Sequence, residues 1–320
     1  MAAPLNNVRH IHSTYYAPRG RKRLFNMGIM LSQMYLTPYD KLIGIMGDPG
    51  CGKSALVKGM FPGLELTNDD DGVNIRPLPI LSVEEDAGFF SPHTYHLDIR
   101  FETGFSQLPV LADAIMAAIH KGKRVVVEHF ELVYPLLPIN ADLLIGVGEE
   151  IFVSRPDIFG PEPKEIYDVV HESLPYRLMA HTAEDICESI LEPAGQVAIA
   201  HGDVRHGFTL IYDKKPEYDL QKLEEQVKEI IAKDLPVTYH DDDHITIGDQ
   251  LLPCTGPRTH VRSTSQIENF TLLWQYIDDH INKRWILVGA VGDKALDSLK
   301  KLEAMQKWDA MATNQSDFIF

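Results

Sequence analysis

The stretch Gly47-Asp48-Pro49-Gly50-Cys51-Gly52-Lys53-Ser54, followed by Ala55, constrains this chain more than any other. It has the spacing G-x-x-x-x-G-K-[ST] of a phosphate-binding P-loop. Glycines let the backbone turn tightly and present N–H groups to phosphate oxygens with no side chain in the way. Lys53 has the length to reach the outer phosphates, and the Ser54 hydroxyl suits Mg²⁺. A helix starting there adds the positive end of its dipole. The flanks agree: 41–46 (KLIGIM) is a short apolar run that reads as a buried strand, and 54–60 reads as a helix of two turns. Nucleotide, ATP with Mg²⁺, is therefore the expected ligand. No guanine-reading Asn/Thr-Lys-x-Asp motif accompanies the loop, which favours adenine.

The remaining strands read as an α/β unit over 1–172. Candidate strands are 64–67, 94–101 (alternating, hence half-exposed), 124–128, 142–147 and 150–153, with a helix over 108–120. The β-branched run Val125-Val126-Val127 suits a central parallel strand and places Glu128 at its carboxyl end, in reach of Mg²⁺ or its water shell. Asp69, Asp70 and Asp71 follow the second candidate strand, where a carboxylate could take a proton from an acceptor hydroxyl. Strands alternating with helices imply a mainly parallel sheet.

The Pro-rich stretch 155–163 reads as a connection out of this unit. From there an α+β layout is expected over 173–292, with a helix over 177–191, antiparallel strands at 197–200 and 208–212, an amphipathic helix over 220–233 and strands at 237–247 and 283–291. Leu220, Leu223, Val227, Ile230 and Ile231 share one face of that amphipathic helix. A C-terminal helix and tail occupy 293–320. The net charge of −16 argues against broad nucleic-acid binding, so DNA is not an expected partner. Arg19-Gly20-Arg21-Lys22-Arg23 is the one concentrated basic run, read as a solvated loop or as a phosphate contact near the P-loop. No apolar run approaches the length of a membrane span. Three scattered cysteines make no disulfide framework, and a cytoplasmic location is expected. Oligomeric state is not readable.

The acids at 69–71, with the strand ending Val127-Glu128, resemble the P-loop kinases of the uridine kinase and phosphoribulokinase group. The resemblance implies that Lys53 and Ser54 hold phosphates and metal and that one of the three aspartates, with Asp70 taken as the candidate, is the base. Lys53, Asp70 and Glu128 are then the candidate catalytic residues. Two departures stand out: the usual Glu-Gly is Glu128-His129 here, and there is no Arg-rich lid, Arg155 being the nearest candidate.

Over 177–275 the chain resembles the second additional domain of alanyl- and threonyl-tRNA synthetases, also found in free-standing alanyl-tRNA editing proteins. Four stretches carry the likeness: Met179-Ala180-His181-Thr182-Ala183-Glu184-Asp185, the glycine-aromatic hairpin at 206–213, the amphipathic helix from Asp219, and Cys254-Thr255-Gly256-Pro257-Arg258-Thr259-His260. The family's Zn²⁺ ligands fall on His181, Asp185, Cys254 and His260. Asp185 stands where a second histidine belongs, and five residues rather than three separate Cys254 from His260. His201, His206, His240 and His244 read as hairpin surface residues, and Cys187 as core. The resemblance implies an aminoacyl-tRNA end or an amino-acid-related small molecule as ligand. Three functions follow: an ATP-dependent phosphotransferase or ATPase coupled to an editing-like domain, a trans-acting aminoacyl-tRNA editing hydrolase with a regulatory nucleotide domain, or a nucleotide-switched binding module.

Overall fold

The computed structural model describes residues 12–67, 78–82, 93–297, 299, 300 and 302. The chain divides into two compact units, Met1–Leu174 and Pro175–Phe320.

The first unit contains, in order, β1 (His12–Tyr16), α1 (Arg21–Tyr35), β2 (Leu42–Met46), α2 (Lys53–Met60), β3 (Thr94–Asp98), α3 (Ile99–Glu102), α4 (Leu108–His120), β4 (Arg124–Glu128), α5 (Phe130–Val133), β5 (Leu143–Val147) and β6 (Glu150–Ser154). The strands form one sheet in the order β1-β6-β5-β2-β4-β3. β5, β2, β4 and β3 run parallel to one another, while β6 pairs antiparallel with β5 and β1 antiparallel with β6 at one edge. This is a mixed α/β arrangement with a mainly parallel sheet. All five residues of β2 and of β5 are buried. Runs of this kind belong in strands covered on both faces.

Three sequence expectations change here. Residues 64–67 form no strand; Leu66 is buried and the Thr67 N–H is spent on His96. β3 stops at Asp98 because that carboxylate caps α3, accepting the Phe101 N–H at 3.1 Å. It is also buried rather than half-exposed, since its polar residues His96 and Asp98 find partners inside. The basic run lies at the start of α1 and not in a loop, with Arg19 buried.

α1 packs on α2 through two glycines. A Cβ on Gly59 would lie 2.0 Å from Phe25 O, and one on Gly28 would lie 2.2 Å from Leu56 O. At the amino ends of the parallel strands stands a polar clamp. The Asp40 carboxylate takes both terminal nitrogens of Arg155, at 2.7 and 2.9 Å, and the Thr37 N–H at 2.7 Å. Arg124 donates to Asp40 O and Thr37 O, and Asp142 accepts the N–H groups of Lys41 and Leu42. Burial alone would raise the Asp40 pKa, but Arg155 and Thr37 outweigh it and hold it below the usual range.

α6 (Pro163–Leu191) carries the boundary between the units, with Pro175 inside it. The stretch expected as a connection therefore turns helical at Pro163; proline suits a first helical turn because the N–H it lacks has no partner there.

The second unit continues with β7 (Ala200–Val204), β8 (Gly207–Tyr212), α7 (Leu220–Ala232), β9 (Val237–Asp241), β10 (His244–Ile247), β11 (Gln250–Pro253), β12 (Thr271–Leu272), β13 (Ile277–Asp279) and β14 (Arg284–Ala290). One antiparallel sheet runs β12-β14-β8-β7 with β13 also on β14; a second runs β11-β10-β9. α7 lays Leu220, Leu223 and Val227 into the core beside Phe208, Leu210 and Leu287. Asp219 caps it, accepting from the N–H groups of Gln221 and Lys222. The hairpin strand begins at Ala200 and not at 197; Val197 and Ile199 are exposed. Beyond β14, residues 295–297, 299, 300 and 302 are helical.

Candidate functional site

In the first unit the site grows from the end of β2. Between Met46 and Lys53 the backbone passes through left-handed conformations at Gly47 (φ 140°), Gly50 (φ 82°) and Gly52 (φ 98°). Sterics demand glycine at the first, where a Cβ would meet the backbone oxygen of Val147 at 2.5 Å, and at Gly52, packed against Leu24, the left-handed backbone favours it. Asp48 is half-buried, Pro49 and Gly50 are exposed, and Cys51 is buried.

Lys53 is buried at the first position of α2, and its Nζ donates to Gly47 O and Asp48 O, each at 3.0 Å. The β2–β4 register places Ile45 opposite Glu128, which brings the carboxyl end of β4 under the loop. Ser54 Oγ donates to Glu128 Oε1 at 3.1 Å, and Lys53 Nζ lies 4.0 Å from Glu128 Oε2. Lys53, Ser54 and Glu128 thus converge. Asp70, with Asp69 and Asp71, lies outside the described residues. Arg155, the candidate lid residue, is instead committed to the Asp40 clamp.

Sequence reasoning missed His96. Its Nδ1 accepts the Thr67 N–H at 3.1 Å, so the ring proton sits on Nε2, which donates to Glu128 Oε1 at 3.2 Å. Burial pushes the Glu128 pKa up, but His96, Lys53 and Ser54 together hold it below the usual carboxylate range. No local signal marks His96; its role arises from β3 lying beside β4. Tyr167 and His171, stacked one turn apart on α6, were also missed. The Tyr167 hydroxyl donates to Asp48 Oδ1 at 2.9 Å, and His171 Nδ1 lies 2.6 Å from Asp48 Oδ2. Burial, the bond to Asp48 and the charges of Asp48 and Glu131 push the Tyr167 pKa up to about 12.

In the second unit α6 and the segment after β11 bring His181, Asp185, Cys254 and His260 together, with ligand atoms all within 4.8 Å of one another. The spacings are 3.5 Å for His181 Nε2 to Cys254 Sγ, 3.2 Å for His260 Nε2 to Cys254 Sγ, 3.9 Å for His181 Nε2 to Asp185 Oδ1 and 3.6 Å for His260 Nε2 to Asp185 Oδ2. A tetrahedral ion held at ~2.0–2.3 Å spaces its ligands by about 3.3–3.8 Å, so this group could bind a metal.

The surrounding bonds orient both rings. His181 Nδ1 donates to Thr259 O at 3.0 Å. The Thr182 hydroxyl gives its hydrogen to Leu178 O at 2.9 Å, so its oxygen is left to accept from His260 Nδ1 at 3.2 Å. Each histidine therefore turns a lone pair on Nε2 toward the cluster. Burial, then the charge of Asp185, pushes the Cys254 thiol pKa well up.

The other histidines lie apart. His240 and His244 are near Asp241 in the β9–β10 hairpin, His206 stacks on Tyr176, and His201 pairs with Glu184 and Glu188. Cys187 is core. Among the described residues no helix is long and apolar enough to cross a membrane.

Comparison with known proteins adds little. No family model matches the chain, and no curated protein does. Among solved structures, Bacillus subtilus YdiB aligns at 16% identity over 50% of this chain and 93% of its own, with a TM-score of 0.29. N-acetylornithine aminotransferase from Stenotrophomonas maltophilia K279a aligns at 10% identity over 78% of this chain and 70% of its own, with a TM-score of 0.24. These likenesses are weak, so the chemistry rests on the residues.

Proposed function

We propose that the first unit binds ATP with Mg²⁺ at the glycine loop and promotes transfer or hydrolysis of the terminal phosphate. The observation that supports this reading is the meeting of Lys53, Ser54 and Glu128 below a loop of left-handed glycines. The loop N–H groups and the start of α2 suit phosphate oxygens. Ser54 and Glu128 offer oxygen ligands, as Mg²⁺ prefers, and when bound the ion would neutralise phosphate charge. Lys53 would exchange its two loop carbonyls for phosphate oxygens. Calorimetric titration of the full chain with ATP and magnesium tests this. Wild type should bind, and Lys53→Ala should bind at least tenfold more weakly. Absence of uptake by wild type overturns the reading.

For the second unit, the four-ligand cluster supports the resemblance to the editing-type domain and an amino-acid-related ligand. His181, Asp185, Cys254 and His260 would hold Zn²⁺, which would supply charge to polarise a carbonyl or water. If the chain is instead an aminoacyl-tRNA hydrolase, deacylation of mischarged tRNA persists in Lys53→Ala and is lost in Cys254→Ala.

A further inference from the structure

We propose that Tyr167 and His171 are positioning residues for the nucleotide: they hold the Asp48 carboxylate against α6, which keeps the glycine loop in its ligand-accepting shape and that negative charge off the phosphates. The inference rests on the ATP reading of the first unit and deepens it.

Asp48 is the second residue of the loop, and its carboxylate is an anion in a segment built to receive anions. Both of its oxygens are taken up from α6. The Tyr167 hydroxyl donates to Oδ1 at 2.9 Å, and His171 Nδ1 lies 2.6 Å from Oδ2. A carboxylate only accepts, so Nδ1 carries the ring hydrogen. The two rings stack with centroids 5.5 Å apart, and Lys164 Nζ stands 5.4 Å from the centroid of Tyr167.

This stretch of α6 is fixed to the sheet. Ile166 and Val170 are buried against glycines at the carboxyl end of β5. A Cβ on Gly146 would lie 2.5 Å from Ile166 Cγ2, and one on Gly148 would lie 2.4 Å from Val170 O. β5 pairs with β2, Gly146 opposite Met46, so the anchor adjoins the strand that feeds the loop.

The loop is also braced from inside, by Lys53 Nζ on Gly47 O and Asp48 O. Lys53 gives up those bonds when it turns to phosphate, whereas the bonds from α6 to Asp48 persist. Three glycines in left-handed backbone are otherwise costly to order, and that cost is subtracted from affinity. A carboxylate released from α6 would also turn on its own loop. Aspartate side chains bond backbone N–H groups two or three residues on, here those of Gly50 and Cys51, which phosphate needs.

The test is calorimetric titration of the full chain with ATP and magnesium. Tyr167→Phe/His171→Ala should bind ATP about tenfold more weakly than wild type. In an Asp48→Ala chain the same two changes should leave affinity where it was, because no carboxylate remains to be held. Asp48→Ala alone should bind more tightly than Tyr167→Phe/His171→Ala, in which the charge is loose. His171→Gln, whose amide N–H still donates, should recover part of what His171→Ala loses. Wild-type affinity in Tyr167→Phe/His171→Ala, an equal loss with and without Asp48, or an Asp48→Ala chain weaker than the double variant overturns the proposal and leaves the ATP reading standing. A wild type that binds no ATP removes both readings together.

Discussion

Substituting Gly59 by alanine sets two effects of opposite sign against each other. Gly59 is inside α2, where alanine has the better helix propensity by about 1 kcal/mol. On propensity alone the variant is stabilised. Yet the new Cβ would stand 2.0 Å from Phe25 O, 2.8 Å from Phe25 C and 3.1 Å from Gly28 Cα. All three are backbone atoms of α1, so no rotamer change relieves the contact, and the helices must separate by roughly 1 Å. Overpacking costs ~1–3 kcal/mol, and a collision with backbone belongs at the upper end. The net effect is a loss of about 2 kcal/mol, which for a unit of this size lowers its melting midpoint by about 4–8 °C. The three tryptophans, at positions 274, 285 and 308, all lie in the second unit. Scanning calorimetry should therefore show the shift in one transition while tryptophan fluorescence reports an unmoved one. A variant that melts at or above the wild-type temperature would refute the close approach of α1 to α2, and with it the seating of Leu24 against Gly52.

Purified full-length protein should contain about one equivalent of zinc by elemental analysis. Cys254→Ser and His181→Ala should each lose it and lower the tryptophan-reported midpoint; full metal content in both would show that the cluster is not a zinc site. Glu188 gives a pH signature. Burial, with the charges of Glu184 and Glu192, raises its pKa from 4.5 to about 7 against the opposing pull of His201. Across that window the unfolded chain has released a proton that the folded chain keeps, so this group's contribution to stability is full below 4.5 and lost as pH rises through about 7. Glu188→Gln should therefore match wild type in urea unfolding at about pH 4 and exceed it at about pH 8; equal gains at both would remove the titration from the explanation.

The parts of the fold legible in the sequence were those where one local pattern decides. The apolar run at 41–46 could only be a buried strand, and its glycine loop could only lead into a helix. The face of α7 was readable from its 3.6-residue period. Legibility failed where a partner distant in sequence decides. His96 and Asp98 looked like the wet side of a half-exposed strand, because nothing local announces that Glu128 and the Phe101 N–H wait inside. α1 was hidden by the basic residues of its first turn, which disfavour a helix start. The prolines at 161 and 163 concealed the beginning of α6. In the site, His181 and Asp185 share a face by spacing alone, whereas Cys254 and His260 joined them only through a family likeness. The base invoked from Asp69–Asp71 lies outside the described residues.

The Asp40 clamp and the glycine loop occupy opposite margins of one sheet. Asp40, Arg124, Asp142 and Arg155 knit the margin where the parallel strands begin, whereas Lys53, Asp98, Glu128 and His129 gather where they finish. Anchorage and the candidate site are thereby assigned to different ends of the same strands. A lesion at the first margin should loosen the whole unit, and one at the second should silence it without unravelling it.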